Sequence, residues 1–302
     1  MSNWASHRFF LYGMLFMIGV VWGLTFSIAK IIASEGAHPI GLSFWQVFSA
    51  AGTLFIVCAI RNSFPKWNML SLRHYLVVGI TGSIIPGTIY FYAASRVDAS
   101  ILAMTTTLVP LLIYGISLAL KIDAYSRRRT LGILLGFVAI LLLVLPDSSL
   151  PSRSATLWLI LAFVSTVFYA VESIYVDMFI AKDADMIALL LGGLIVASVG
   201  LLPIALVQDA WVPVNLPFGQ IEWLILAMGV VSSIAYSAYF VLVKLAGAVF
   251  ASLSGYLMTI AGVFWGVAIF GESHSMWVWF GFVVLLVAMG LVTPREADAP
   301  EK

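Results

Sequence analysis

Charge is the scarcest ingredient of this chain. Only 10% of its 302 residues are Asp, Glu, Lys or Arg, against 62% hydrophobic residues and a mean hydropathy of +1.08. A soluble domain carries about 25% charged residues, so no water-facing surface can be assembled from these ions. Cysteine is nearly absent: the lone Cys58 excludes an intramolecular disulfide and, inside an apolar stretch, reads as a small core or lipid-facing residue. The four histidines, His7, His38, His74 and His274, fall in termini or connections, so neither a buried metal site nor a Ser-His pair assembles within the apolar runs. Gly41-Leu42-Ser43-Phe44 is the nearest approach to a hydrolase serine motif, and it lacks the following glycine. There is no Gly-rich loop ending in Lys-Ser or Lys-Thr, which excludes ATP-driven pumping by this chain alone, and no cofactor is called for. A net charge of +1 without a dense basic tract excludes nucleic acid as a partner.

What is present is a series of apolar runs, over residues 9–32, 40–60, 75–95, 98–120, 130–146, 155–180, 186–207, 221–244, 247–270 and 276–293. Each is near the roughly 20 residues needed to cross about 30 Å of hydrocarbon, where the backbone must satisfy its own hydrogen bonds. The pattern predicts an all-α integral membrane protein with ten transmembrane helices. The first run is too long for a signal-peptide core and lacks a small-residue cleavage site, so it reads as a retained span.

The basic residues fall in every second gap. One set of alternating segments holds Arg8, Arg61, Lys66, Arg73, Lys121, Arg127, Arg128, Arg129, Lys182, Lys244, Arg295 and Lys302; the other holds Arg96 and Arg153, with Lys30 at the end of the first run. By the positive-inside rule the first set, and with it both termini, is cytoplasmic. The expected location is the cell (cytoplasmic, inner) membrane, with the lipid bilayer as a partner.

Ten helices halve into five, an odd number, so the second half must cross in the opposite sense to the first. The halves are alike in order. A shift of 149 superposes Ala99 on Ala248, Asp123 on Glu272 and Gly132 on Gly281; each copy runs from a small-residue start through a long helix to an acidic end and a Gly-bearing final helix. Nearer the start of each half, Trp22 aligns with Tyr169 and Thr25 with Glu172. The expected division is 1–148 and 149–302, an inverted repeat of the kind from which transporters are built around a site at the repeat interface.

The 5+5 layout, the small-residue entries to the fourth and ninth runs, Gly271-Glu272 and the Gly-rich fifth and tenth runs resemble the EamA-type branch of the drug/metabolite transporter superfamily, and within it the YddG-type amino-acid exporters. The first repeat departs from that pattern, with Lys121-Ile122-Asp123 where Gly-Glu is usual. The resemblance implies a basket of ten helices around a central cavity lined by the first, third, fourth, sixth, eighth and ninth, and export of small metabolites, amino acids first. It leaves drugs or other metabolites as alternative cargo. An intramembrane enzyme is the reading outside this class, and it needs a catalytic dyad that the sequence does not offer.

Within that frame the polar residues of the spans become candidates. Glu172 is the only carboxylate well inside a run, and a charge there must face a cavity or a partner. It reads as a proton site, as a contact for a substrate ammonium, or as a group solvated from the cytoplasmic vestibule. Lys30 lies at the opposite interface and is expected to snorkel rather than to pair with Glu172, as is Lys244 at the inner end of the eighth run. Ser83, Pro86, Gly87 and Tyr90 share one face of the third run. Pro110 follows Thr105-Thr106-Thr107 in the fourth, and such prolines permit kinks. Tyr236 and Tyr239 lie inside the eighth run rather than at an interfacial end, and the ninth run supplies Ser254, Gly255 and Tyr256 as further candidates beside them. The expected substrate-binding set is therefore Trp22, Ser83, Tyr90, Thr107, Tyr169, Glu172, Tyr236, Tyr239, Ser254 and Tyr256, with Pro86, Gly87, Pro110 and Gly255 as hinges. Gly19-x-x-x-Gly23 and its like are expected to serve packing within a monomer.

Overall fold

The computed structural model describes residues 2–97, 99–144, 153–273 and 276–291, and every regular element among them is helical. The helices are α1 (Ser2–Ser34), α2 (Pro39–Arg61), α3 (Met69–Gly79), α4 (Ile85–Ala94), α5 (Ala99–Met104), α6 (Val109–Ala119), α7 (Arg127–Val144), α8 (Arg153–Phe179), α9 (Met186–Val207), α10 (Gln220–Ala246), α11 (Ala248–Ser252), α12 (Ser254–Phe270) and α13 (Met276–Leu291). A π-helical turn, Ile80–Ile84, joins α3 to α4, and a 3-10 turn, Thr105–Leu108, joins α5 to α6.

Local chemistry sets the ends. Asn68 caps α3 by accepting from the Ser71 amide at 2.8 Å, and Asp185 caps α9 by accepting from Ile187 at 2.9 Å and Ala188 at 3.2 Å. Gly271, at φ 65°, closes α12 in the left-handed region. Glu222 holds the start of α10 by accepting from the Gly219 amide at 2.9 Å and the Asn215 amide at 3.1 Å.

Among the described residues, seven helices are long and apolar enough to cross a membrane: Phe9–Ser34, Pro39–Arg61, Met69–Ala94, Ile160–Phe179, Met186–Val207, Gln220–Ala246 and Ala248–Phe270. The ten-run expectation is met in part, and the shortfall has local causes. The fourth run is cut by the turn at 105–108, leaving Val109–Ala119 as a short apolar helix. α7 spends its first turn on three arginines, and α13 is described over only 16 residues.

The packing is that of two repeats. Shifted by 149, α5 falls on α11, α6 falls within α12 and α7 falls on α13, while the turn after α5 lands on 254–257, just past the break at Leu253. The tertiary contacts exchange in the same way. α1 packs on α12 and α10, and its counterpart α8 packs on α6 and α4; α2 packs on α10, and its counterpart α9 on α3; α2 meets α9 and α7 meets α13. Close approach of α1 to α12 depends on Gly19 and Gly23, since a β-carbon at Gly23 would come within 2.7 Å of the Ala261 side chain and one at Gly19 would collide with Leu257.

Ion pairs finish the helix ends. Asp123 receives Arg129 at 2.7 Å, and its counterpart Glu272 receives Lys30 at 3.1 Å, with the Lys30 ammonium also 5.0 Å from the Phe270 ring centre. Lys30 is thus tied to α12's end rather than only snorkelling. Lys244 donates to the Ile180 carbonyl. Tertiary structure gives both lysines protein partners that hydropathy cannot show.

Candidate functional site

Two breaks and one pleat of the helices shape the middle of the molecule. Pro110 has no N–H to offer the Thr106 carbonyl, and the chain tightens to a 3-10 turn just before it. The Thr105 and Thr106 hydroxyls bond back to Leu102 and Ala103 at 2.7 and 2.8 Å. Thr106 also reaches across to the Gly255 carbonyl at 3.3 Å, and a β-carbon on Gly255 would lie 3.0 Å from the Thr106 carbonyl oxygen. The two helix breaks therefore cross at Thr106 and Gly255. Pro86 follows the π-helical turn in the same manner and denies Gly82 its usual acceptor bond.

Beside this crossing lies a cavity enclosing about 850 Å³ of space not filled by atoms, part of it open to solvent. Of the expected residues, Trp22, Gly87, Tyr90, Tyr169, Glu172, Tyr236, Tyr239, Ser254 and Gly255 line it. Ser83 lines a smaller adjoining pocket that shares Trp22, Gly87, Tyr169 and Tyr236 with the first. Pro86 and Pro110 are buried behind the lining, at the helix irregularities. Thr107 stands in the 3-10 turn, and its side chain lies outside the described residues. Tyr256 departs from the expectation. It is fully buried, with its ring against Gly136 of α7, because α12 starts at Ser254 and turns position 256 away from the cavity that Ser254 faces.

The aromatic wall is continuous. Trp22 sits 5.2 Å from Tyr236 and 5.9 Å from Tyr239, ring centre to ring centre, and Tyr236 packs on Phe240 at 5.0 Å. The Tyr239 hydroxyl and the Ser173 hydroxyl share a 2.7 Å hydrogen bond, and Ser173 donates to the Tyr169 carbonyl at 2.8 Å. At the wall's foot the Tyr236 hydroxyl donates to Glu172 Oε1. Glu172 is 1% exposed, so it is not solvated from a vestibule in this conformation. A β-carbon on Gly82 would collide with both the Glu172 carboxyl and the Tyr236 hydroxyl, so glycine in the π-helical turn is what lets the acid sit there.

Several lining residues were not singled out from the sequence. Thr25, Phe26, Ser165, Thr166 and Met258 join the wall, as does Gln46 from α2, which donates to Ser232 at 3.1 Å. Gln46 carried a signal, being the only amide side chain within a run otherwise apolar or hydroxylated. The others look like ordinary core positions until the helices are packed.

A bundle of membrane-crossing helices in two repeats that enclose a solute-sized cavity defines the transporter class of membrane protein. The sequence comparisons name the family. The sequence profile of the EamA-like transporter family matches the chain twice, over residues 10–145 and 156–293, and the chain belongs to that family. It is 23% identical over 297 residues to the uncharacterized inner membrane transporter YedA of Escherichia coli, covering 97% of this chain and 93% of that protein, with the same match to YedA in three strains. A solved crystal structure superposes with a TM-score of 0.67 at 15% identity, covering 94% of this chain and 96% of the other, which is likeness of fold.

Proposed function

We propose that this membrane transporter is a secondary exporter of small amphipathic metabolites, amino acids first, working by alternating access. The single observation that carries the reading is the cavity itself. It lies where elements of both repeats meet, is walled by Trp22, Tyr169, Tyr236 and Tyr239, and has hydroxyls placed among the rings. An apolar enclosure with sparse, directed polar groups is what a small solute needs. Trp22, Ser83, Tyr90, Thr107, Tyr169, Glu172, Tyr236, Tyr239 and Ser254 are the proposed substrate contacts. Pro86, Gly87, Pro110 and Gly255 are the proposed hinges. Tyr256 holds α12 to α7.

The same reading places ten crossings in a 5+5 inverted arrangement divided near residue 148, the acidic ends Asp123 and Glu272 occupying equivalent positions. It puts both termini on the cytoplasmic side of the inner membrane and takes the chain as a monomer. Purified protein in proteoliposomes, loaded with a panel of labelled amino acids, tests the substrate class. Accelerated efflux of at least one of them is expected, and Tyr169→Ala should slow it without loss of folded protein. A panel with no accelerated member, alongside accelerated efflux of other metabolites, removes amino acids and keeps the transporter.

A further inference from the structure

The charge inside the cavity has one sign only. Among the described residues, Glu172 is the sole acid lining the cavity or its adjoining pocket, and no Lys, Arg or His lines either. The carboxyl is held from one side by the Tyr236 hydroxyl and is pressed into the space left by Gly82. The Trp22, Tyr236 and Tyr239 rings, 5.2 and 5.9 Å apart, line the same cavity as the carboxyl. A buried carboxylate with no fixed cation is costly unless it takes up a proton or a mobile positive charge meets it. Aromatic rings at such a spot attract the same kind of charge through their negative faces.

The polar groups available to the rest of a ligand are of another kind. Tyr90 presents a buried hydroxyl with no hydrogen-bond partner among the described residues, and Ser254 adds a second neutral group on the lining. Neither can neutralise a carboxylate.

We infer that the cavity holds its substrate by a protonated amine placed against Glu172 and the Trp22–Tyr236–Tyr239 rings, and that a carboxylate on the same substrate contributes no binding by charge. The inference rests on the cavity being the substrate site, as proposed above. It narrows the ligand class to organic ammonium ions, of which an amino acid is one and a plain amine another. The amine fills the role of the missing cation.

Isothermal titration of the detergent-solubilised full chain at neutral pH with three probes tests this. Phenethylamine has the ammonium without a carboxylate, N-acetylphenylalanine has the carboxylate without an ammonium, and phenylalanine has both. Phenethylamine should bind at least as tightly as phenylalanine, with N-acetylphenylalanine weaker than both by roughly tenfold or more, the scale of losing a charge-assisted hydrogen bond. Glu172→Gln should weaken phenethylamine by a similar factor, and Glu172→Asp should restore part of it. The three-probe comparison on the natural chain stands even where a variant fails to fold. Equal binding of phenylalanine and N-acetylphenylalanine overturns the inference, as does phenethylamine binding tenfold weaker than phenylalanine, or unchanged binding of phenethylamine by a folded Glu172→Gln protein. Binding by none of the three overturns it too. Efflux of some other solute from proteoliposomes in that case leaves the transport reading standing, so the two failures are separable.

Discussion

The Glu172 carboxyl and the Tyr236 hydroxyl pack so closely on the Gly82 α-carbon that they leave no room for a β-carbon there. Gly82→Ala should therefore displace the acid or the phenol, at a cost of about 1–3 kcal/mol typical of overpacking. Proteoliposome efflux should fall sharply while the variant still elutes as folded protein; efflux at the natural rate would show that the trio's geometry is irrelevant to transport. Tyr236→Phe keeps the ring contact with Trp22 and removes only the donor, leaving a buried acceptor at a cost of about 1–3 kcal/mol. Glu172→Gln distinguishes two roles. If the carboxylate anchors an ammonium, net efflux and substrate exchange decline together. Exchange that survives while net efflux loses its response to a proton gradient assigns the group to proton coupling instead.

At the scale of elements, the junction of α2 with α9 and the crossing of the two helix breaks make separate demands. Asp185 caps α9 while accepting from Ser63 at 2.6 Å and pairing with Arg61 at 3.2 Å, so one carboxylate fastens two helix ends. Its burial works to raise the pKa, but the bonds from Ser63, from the Ala188 and Ile187 amides and from Arg61 outweigh this and hold it below the ordinary aspartate value. A carboxylate with a depressed folded pKa contributes stability above its unfolded pKa of about 3.9, and loses it as the pH falls through the folded value. Thermal unfolding of the solubilised protein should show that acid loss. Asp185→Asn should flatten it, and Asp185→Ala should cost about 1 kcal/mol or more for the cap alone. An acid profile identical in the two variants and the natural chain would remove Asp185 from the account. At the other element contact, Gly255→Val would drive two methyls toward the Thr106 carbonyl 3.0 Å from its β-carbon position. Efflux through a cavity beside that crossing should drop, and an unaffected rate would mean that the breaks do not move against each other.

For the whole molecule, the distribution of lysine and arginine predicts the sidedness. On a Cys58→Ala background, Lys66→Cys in the loop between α2 and α3 should be shielded from an impermeant thiol reagent in intact cells, and Gln208→Cys after α9 should react. The reverse pattern would invert the proposed orientation. The exchange of contacts between halves, α1 on α12 against α8 on α6, is the arrangement that the proposed alternating access would use, since equivalent halves can trade packing partners about the shared cavity. That exchange is not perfect. α10 runs unbroken for 27 residues, whereas its counterpart is interrupted by the π-helical turn between α3 and α4.

Composition alone settled that this chain lives in a bilayer, because backbone and side-chain solvation in lipid leave few alternatives for 62% hydrophobic residues. The repeat was legible as well, in the small residues Ala99 and Ala248 that open equivalent helices and the acidic residues Asp123 and Glu272 that end them. Most of the cavity-facing aromatics could be named, for a tyrosine or tryptophan deep in a span has few reasons to be there. What the sequence could not decide was direction. Tyr256 lies two positions from Ser254, and the rotation of α12 alone sends one to the cavity and the other to α7. Lys30 meets Glu272, 242 positions away, because α1 and α12 lie side by side. The placement of Glu172 beneath Tyr236 and beside Gly82 draws on three separate helical segments. Periodicity fixes which residues share a face of one helix; only the packing of the helices determines what that face meets.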